Sequence, residues 1–521
     1  RKVTKRTASM GKTGLALPLA VILGAHAASA FLAGPIPSIR AGAASAHLTG
    51  GRGGLGAHIA NVGRGRSGLP VERRAPPLAL RCAADAGAFA KWLEDNGARL
   101  ACGVAEGTNG RGLIAKSQLK AGEEVCSIPI KLMLTEDTAG AALGSKAADL
   151  DAETAIALQL IKEKAEGSSS FFAPWIEMLP TRETLDVPLF WSEEQRDFLG
   201  GSKVEEDTGD LKIALKEEFE QLIAQGWDKI VPSLTLEDYE WATAIVSSRA
   251  HDAPKLNGGV ALAPLVDFPE HSTTTGGKVE LVYEGMFREP RLKFSAGGAT
   301  AAGGRLCVNY KASNNDLVFK RGLADLKVIA GSYDLDFSVS PMDRFRDDKE
   351  DILELNGYGT EQSFKLDSEE EETDDYDMLA FLRLVCLSKS DAFLLESVFR
   401  SEVWGFMQMP VSKDNERLML DTLVGYCEGA LEGYESTDGE DAAAQNDESR
   451  PLRIRLAAAA KLSEKKALKK ALNLYTEDLD EIDQKEYYQE RRLRELNLDR
   501  PLDESEIIDP DVPIRPNYSD Y

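Results

Sequence analysis

Two stretches of this chain end an apolar run on side chains that could do chemistry. The first reads ALAPLVDFPEHS over residues 261–272; it is apolar up to Asp267 and then brings Glu270 and His271 into a polar Ser/Thr/Gly turn. Carboxylates and an imidazole at the end of a buried strand are held on a rigid support, where they can bind a charged ligand or orient a reactant. The pattern therefore predicts a strand that delivers polar groups to a site.

The second stretch reads GGRLCVNYKASNN over residues 303–315. Leu306, Val308 and Tyr310 alternate with polar or small residues, so one face of a strand carries the tyrosine at its end. A phenol hydroxyl in that position could orient an acceptor group. An ordinary two-stranded core with polar strand ends has the same periodicity, and the alternation alone does not separate the two interpretations.

The numbers and positions of the histidines and cysteines limit the kinds of site that the chain can form. Three of the five histidines, His26, His47 and His58, fall in the N-terminal leader described below, which leaves His251 and His271 for the remainder. The six cysteines are scattered without a C-x-x-C pair. This distribution argues against a metal cluster, a disulfide framework and a Ser-His-Asp triad, and it predicts reduced, packed thiols.

The charge balance of the chain indicates which classes of partner it can bind. The formal net charge of the 521 residues is −25, although residues 1–81 hold 12 Lys/Arg and a single acid, Glu72. The remainder is thus more acidic than the total suggests. Because phosphate backbones require concentrated Lys/Arg, nucleic acid is not expected as a partner.

The basic start has the features of a targeting leader. Met10 and Lys12 precede the apolar run 15–25, which ends near Ala-Ser-Ala at residues 28–30, the form of a signal-peptidase site. A membrane anchor would need a run of about 20 apolar residues. Phe31 and an acid-free Gly/Ala/Arg stretch follow. The arrangement resembles the two-part plastid leader of algae with complex plastids; simple secretion is the alternative. It implies removal of residues 1–80 and a mature protein in the plastid stroma.

Helical periodicity fills much of the rest. Apolar residues recur at helical spacing between residues 150 and 250, with a capping-box pattern at Thr235, and again between 379 and 475. Gly110 and Gly112 around Arg111 indicate a turn or a close approach of the backbone to a ligand.

Several of these motifs resemble the SET-domain lysine methyltransferases of the Rubisco large-subunit type. Residues 264–272 resemble the family motif PLxDxxNHS, and GRGLIA at 110–115 resembles the first SET motif. Residues 310–315 resemble YGxxSN, whose end is supplied either by Ser313-Asn314, one residue early, or by Asn314-Asn315 in register. The insert EKAEGSSSFFAPWIEMLP and the later RIRLAAAAKLSEKKALKKAL also match the family. This chain departs from the family at four positions. Glu270 replaces an asparagine and Lys311 replaces a glycine. In the family, the helix after the SN pair ends in YGF, and here Arg321 and Leu323 replace its tyrosine and phenylalanine.

The resemblance implies an α+β fold, in which a SET-domain β-fold with a helical insert is followed by an all-helical C-terminal domain. The expected boundaries are 1–80 for the leader, 85–335 for the SET domain with its insert at about 150–250, 340–480 for a helical substrate-binding domain, and 481–521 for a charged tail.

The resemblance also implies the activity, which is S-adenosyl-L-methionine-dependent methylation of a lysine in a plastid protein, the Rubisco large subunit or another stromal enzyme. Tyr310 is the expected catalytic residue. The implied cofactor-binding residues are Asn109, Gly110, Arg111, Arg249, Glu270 and His271, and the implied substrate-binding residues are Arg249, Asp267 and Tyr310. A monomer without metal, nucleic acid or membrane contacts is expected for the mature form. A catalytically weakened protein-binding module and a protein-histidine methyltransferase are the alternatives.

Overall fold

The computed structural model describes residues 79–107, 110–369 and 376–496. Nearly all of the predicted leader, the cofactor-loop residue Asn109 and residues 497–521 of the predicted tail lie outside this part of the chain. None of the helices in the described ranges is long and apolar enough to cross a membrane.

Ten short strands form the β-part of the first domain. They are β1 (Arg99–Leu100), β2 (Cys102–Gly107), β3 (Gly110–Ala115), β4 (Glu124–Pro129), β5 (His251–Asp252), β6 (Val260–Ala261), β7 (Glu270–His271), β8 (Lys278–Glu284), β9 (Glu289–Ser295) and β10 (Arg305–Val308). One sheet has the order β1-β4-β9-β8, a second has the order β2-β3-β10-β7, and β5 pairs with β6. In the second sheet β7 runs parallel to β10, with Glu270 opposite Cys307 and His271 opposite Val308. The last residues of the first stretch therefore pair with the second stretch. The prediction of a strand that runs up to Asp267 was wrong, because β6 ends at Ala261 and residues 264–267 form a turn in which Leu265 has φ 72°.

Helices cover these sheets and form the insert. They are α1 (Ala79–Asp95), α2 (Glu136–Leu143), α3 (Ala152–Glu166), α4 (Ala173–Ile176), α5 (Glu193–Arg196), α6 (Lys203–Ala224), α7 (Leu236–Arg249) and α8 (Asn314–Arg321). Asp151, Ser202 and Thr235 cap three of them by accepting a hydrogen bond from the backbone N–H three residues on. Apolar residues of α3 and α7 join both sheets in one core. The end of α7 is thus held against the strands that carry the site.

The C-terminal domain is mainly helical, with α9 (Arg346–Leu355), α10 (Tyr376–Val385), α11 (Val403–Met407), α12 (Lys413–Glu432), α13 (Asp438–Asn446), α14 (Leu452–Asp480) and α15 (Tyr488–Glu495). The prediction of an all-helical domain was wrong in one respect, because β11 (Ser332–Ser338) and β12 (Glu361–Asp367) form an antiparallel ladder of seven residue pairs. Tyr333, Leu335 and Phe337 alternate inward from this ladder into the second core, and this period of two identifies a strand.

Polar contacts join the two domains beside the insert. The Glu464 carboxylate on α14 accepts hydrogen bonds of 3.1 Å from the backbone N–H groups of Lys203 and Val204, at the start of α6. Arg453, also on α14, donates a 2.9 Å hydrogen bond to Asp186. Both contacts fix the long C-terminal helix against the segment that leads to the site.

Candidate active site

A pocket that is open to solvent lies where the ends of α7, α8, β7 and β10 meet. Its walls include Arg111, Asp186, Arg249, Asp267, Glu270, Tyr310 and Arg321. The structure therefore brings together on one pocket the predicted residues Arg111, Arg249, Asp267, Glu270 and Tyr310. His271 lies directly behind Tyr310, with the two ring centroids 5.9 Å apart. Asn109 lies outside the described residues, and Gly110 begins the strand that carries Arg111.

Arg249 and Asp267 form a buried pair at the floor of this pocket. Arg249 Nη1 donates a 2.7 Å hydrogen bond to the Asp267 carbonyl oxygen and lies 3.6 Å from its carboxylate, whose side chain is 0% exposed. Burial raises the pKa of Asp267 to about 6 although the guanidinium opposes this shift. Burial likewise lowers the pKa of Arg249. Desolvation thus outweighs the attraction within the pair.

Two histidines flank Tyr310. His271 Nδ1 accepts a 3.3 Å hydrogen bond from the Tyr310 backbone N–H, and His251 Nε2 lies 3.1 Å from the Val266 carbonyl oxygen. Burial lowers the pKa of His251 to about 4 and also lowers that of His271. Burial raises the pKa of Tyr310, and Arg321 and Arg249 act against this rise. At neutral pH both imidazoles are uncharged and the phenol keeps its proton.

The backbone after Tyr310 shows the steric cost of one departure from the family motif, the lysine at position 311. Lys311 has φ 51°, in the left-handed region that glycine adopts without steric cost and other residues rarely adopt. Asn309 Oδ1 accepts a 2.8 Å hydrogen bond from the Lys311 N–H and stabilises this turn. The turn therefore has the conformation of a glycine at the position where the family usually has one.

We expect Lys311→Gly to raise the free energy of unfolding by about 1 kcal/mol, because it removes the steric cost of the left-handed conformation. Denaturant unfolding monitored by circular dichroism measures the change. Lys311→Ala is the matched control, since it keeps a Cβ at the same φ and should bring no gain. A less stable glycine variant would contradict the assignment of strain.

Glu270, which replaces the asparagine of the family motif, has a cationic side chain beside it. Glu270 forms an ion pair with Arg305, whose Nη1 lies 2.9 and 3.0 Å from the two carboxylate oxygens. Glu270 lies on β7, and Arg305 lies on the adjacent strand β10. The negative charge of Glu270, which could repel a carboxylate-bearing cofactor, is therefore partly compensated within the sheet.

We expect Arg305→Met to weaken binding of S-adenosylmethionine up to about tenfold, because it removes a cation that compensates the negative charge of Glu270. Glu270→Asn alone should change the dissociation constant less than about fivefold, since the Arg305 side chain is half exposed and water screens it. The double variant should recover most of the loss. Isothermal titration of the four proteins measures these differences, and equal effects in the single and double Arg305 variants would refute the compensation.

Arg321 belongs to the site, although the sequence showed it only as a departure from the tyrosine of the family motif YGF. Its guanidinium lies over the Tyr310 ring, 4.0 Å from the centroid. Nη1 donates a 2.5 Å hydrogen bond to the Ser248 carbonyl oxygen and Nη2 a 3.3 Å bond to that of Ala250. Gly322 follows with φ 64°, and a Cβ there would lie 2.4 Å from the Asp186 carbonyl carbon, so glycine is required at this close approach.

Relatives with known activities are similar over most of the chain. A chloroplastic fructose-bisphosphate aldolase–lysine N-methyltransferase of Arabidopsis thaliana is 32% identical over 425 residues, which cover 79% of this chain and 87% of that protein. The chain belongs to the SET-domain protein-lysine N-methyltransferases of the Rubisco large-subunit type. A chloroplastic Rubisco large-subunit N-methyltransferase of Nicotiana tabacum is 32% identical over 75% of this chain and 80% of its own length.

The fold and the C-terminal domain agree with this family. Residues 340–468 match the Rubisco LSMT substrate-binding family. The crystal structure of the SET domain of LSMT bound to lysine and AdoHcy superposes with a TM-score of 0.71 at 28% identity, over 81% of this chain and 97% of that one. The predicted α+β fold class and family are confirmed. Members of this methyltransferase family use S-adenosyl-L-methionine, and their substrates are proteins.

The polar groups of the pocket fit that cofactor. Its amino-acid end carries an ammonium and a carboxylate, and the pocket offers carboxylates and guanidiniums. Arg249 Nε and His271 Nε2 are buried without a hydrogen-bond partner among the described residues. Buried polar atoms are usually satisfied, so a polar ligand at this end of the pocket would complete them. Within the described ranges no group of three His, Cys, Asp or Glu side chains is arranged to hold a metal ion, and Cys102, Cys126, Cys307, Cys386 and Cys427 are free thiols.

Proposed function

We propose that this chain methylates a lysine side chain of a plastid protein at the pocket between Arg249, His271 and Tyr310. The observation that carries the proposal is the convergence of Arg249, at the end of α7, and Tyr310, just beyond β10, on one open pocket, with His271 on β7 stacked behind the Tyr310 ring. Substrates and cofactors bind preferentially in such concave sites with a few convergent polar groups.

Bound S-adenosylmethionine supplies an electrophilic methyl carbon on its sulfonium. Among the described residues, Arg111, Arg249, Glu270 and His271 are the groups that would hold its polar end, and Asn109 and Gly110 complete the predicted loop. The Asp267 carboxylate is buried beneath Arg249. We assign it to holding that guanidinium in place, which is a more indirect role than the substrate contact predicted for it.

Tyr310 has the principal role in positioning the acceptor. The acceptor amine must be neutral and aligned with the methyl carbon, and a fixed hydroxyl achieves alignment at little entropic cost when the reaction begins. Because the pKa of Tyr310 is raised, its hydroxyl remains protonated and can donate or accept one hydrogen bond. The apolar walls supplied by Phe268, Pro269 and Leu323 help to keep water from the reacting groups.

The proposal extends to partners and place of action. The relatives named above are chloroplastic and methylate aldolase or the Rubisco large subunit, and these two proteins are the first substrates to consider. We place the mature enzyme in the plastid stroma as a monomer, with a protein substrate and with no nucleic acid or membrane as partner.

Transfer of label from tritiated S-adenosylmethionine to purified aldolase and Rubisco tests the function. The full chain should produce labelled methyl-lysine after acid hydrolysis of one of these substrates, and Tyr310→Phe should produce it on the order of 100-fold more slowly. Label in methyl-histidine would favour the histidine alternative. A chain that binds both cofactor and substrate and transfers no label would instead be a protein-binding module.

A further inference from the structure

The pocket contains a cation at the position of the tyrosine of the family motif YGF. Arg321 closes α8, and its guanidinium is held by the Ser248 and Ala250 carbonyl oxygens on one side and by the Tyr310 ring on the other. These contacts fix the charge within 4.0 Å of the ring whose hydroxyl is assigned to the acceptor. An acceptor amine that reaches Tyr310 must therefore approach this guanidinium.

We propose that Arg321 makes the acceptor side of the pocket cationic and thereby favours the neutral form of the incoming lysine amine. This inference rests on the proposed function for its substrate, although its electrostatic basis can be measured without turnover. A lysine ammonium has an unperturbed pKa near 10.4 and must lose its proton before it can attack. A like charge nearby stabilises the neutral amine, so Arg321 would increase the reactive fraction at neutral pH.

Other charged groups around Arg321 do not cancel its charge. The titratable and charged groups that line the pocket with Arg321, or that interact electrostatically with it or with the side chains beside it, are Arg111, Asp186, Arg249, His251, Asp267, Glu270, His271, Cys307, Tyr310 and Asp325. The three carboxylates among the pocket-lining residues each have a cation of their own. Asp186 pairs with Arg453 at 2.9 Å, Asp267 lies beside Arg249, and Glu270 pairs with Arg305. Asp325 receives hydrogen bonds from Thr273.

A purely structural role for Arg321 is the competing explanation. A basic side chain at the end of a helix commonly binds the last carbonyl groups, and Arg321 does this for α7. Any residue that restored those bonds would then suffice, and the charge would have no influence on titration. A charge-preserving variant and an apolar variant of similar length separate the two explanations.

The first measurement uses the two histidines of the mature chain as reporters. Arg321 lowers the pKa of His251 and of His271, in addition to the larger effect of burial. In protein labelled with ¹³C at histidine Cε1, Arg321→Met should raise the pKa of His251, on which the Arg321 charge acts next after burial, and to a smaller extent that of His271. Arg321→Lys should leave both pKa values nearly unchanged. Unchanged values in both variants would overturn the electrostatic proposal, whether or not the enzyme transfers methyl groups.

The second measurement is the pH dependence of kcat, which reports groups in the bound complex. Removal of the cation raises the pKa of the bound amine, so the acid limb of the profile should move to higher pH by on the order of one unit in Arg321→Met. Arg321→Lys should restore the position of the limb. A uniform loss of kcat with an unshifted limb would mean that Arg321 only supports the fold. Absence of transfer by the native chain would refute the proposed function and leave the histidine titration as the test of the charge.

Discussion

Tyr310→Phe is expected to lower kcat by on the order of 100-fold, equivalent to about 2.7 kcal/mol of transition-state stabilisation. The hydroxyl is the group assigned to orient the acceptor, and it lies in the pocket between His271 and Arg321. Phenylalanine keeps the ring and its contacts with both neighbours, so the fold and the cofactor affinity should change little. Single-turnover transfer of tritiated methyl groups measures the rate.

The control for Tyr310 is a second tyrosine, Tyr283, which does not line the pocket. Tyr283 lies on β8, where its hydroxyl donates a 3.3 Å hydrogen bond to the Lys255 carbonyl oxygen. Tyr283→Phe should keep nearly native activity. If Tyr310→Phe were as active as this control, the assignment of Tyr310 to the reacting centre would be wrong.

Arg249→Met is expected to lower the free energy of unfolding by about 3–5 kcal/mol at pH 8, because it leaves the buried Asp267 carboxylate without its cation. The sign of the pH dependence follows from the raised pKa. Asp267 has a pKa of about 6 in the folded protein, against 3.8 for an unperturbed aspartate. It therefore binds its proton more tightly when folded, and its contribution to stability is fully present below about pH 4 and is lost as the pH rises through about 6.

Loss of the guanidinium raises the pKa of Asp267 further, so the destabilisation of Arg249→Met should be larger at pH 8 than at pH 5. Urea unfolding at the two pH values measures this difference. In the Asp267→Asn background the same substitution should show almost no pH dependence, since no carboxyl group remains to titrate. A penalty that is equal at both pH values in the single variant would contradict a charge-based role for the pair.

The sequence allowed part of the site to be placed, because several of its residues follow apolar stretches. The alternation at Leu306, Val308 and Tyr310 predicted a strand, and Leu306 and Val308 lie in β10, with Tyr310 two residues beyond its end. The apolar run before Asp267 predicted buried neighbours, and Leu265 and Val266 are buried. That β7 lies next to β10 could not follow from periodicity, because strand pairing depends on contacts between distant residues.

Two features of the site depend on such distant contacts and were not predicted. Arg305 lies 35 positions from Glu270 in sequence, and only the parallel register of β7 and β10 makes it the partner of that carboxylate. Arg321 was visible as a departure from YGF, but its place over the Tyr310 ring depends on how α8 packs against the end of α7. The β11–β12 ladder differs from these two features, because the alternation of Tyr333, Leu335 and Phe337 with polar residues is a local signal from which β11 could have been predicted.

Calorimetric titration of the full chain with S-adenosylmethionine tests the central claim most directly. Native protein should bind one cofactor per chain with a dissociation constant in the micromolar range, on the order of 8 kcal/mol of binding free energy, and Tyr310→Phe should bind with similar affinity. A native chain that shows no saturable binding, together with micromolar binding by Glu270→Asn, would contradict the account and identify the protein as a SET-fold binding module.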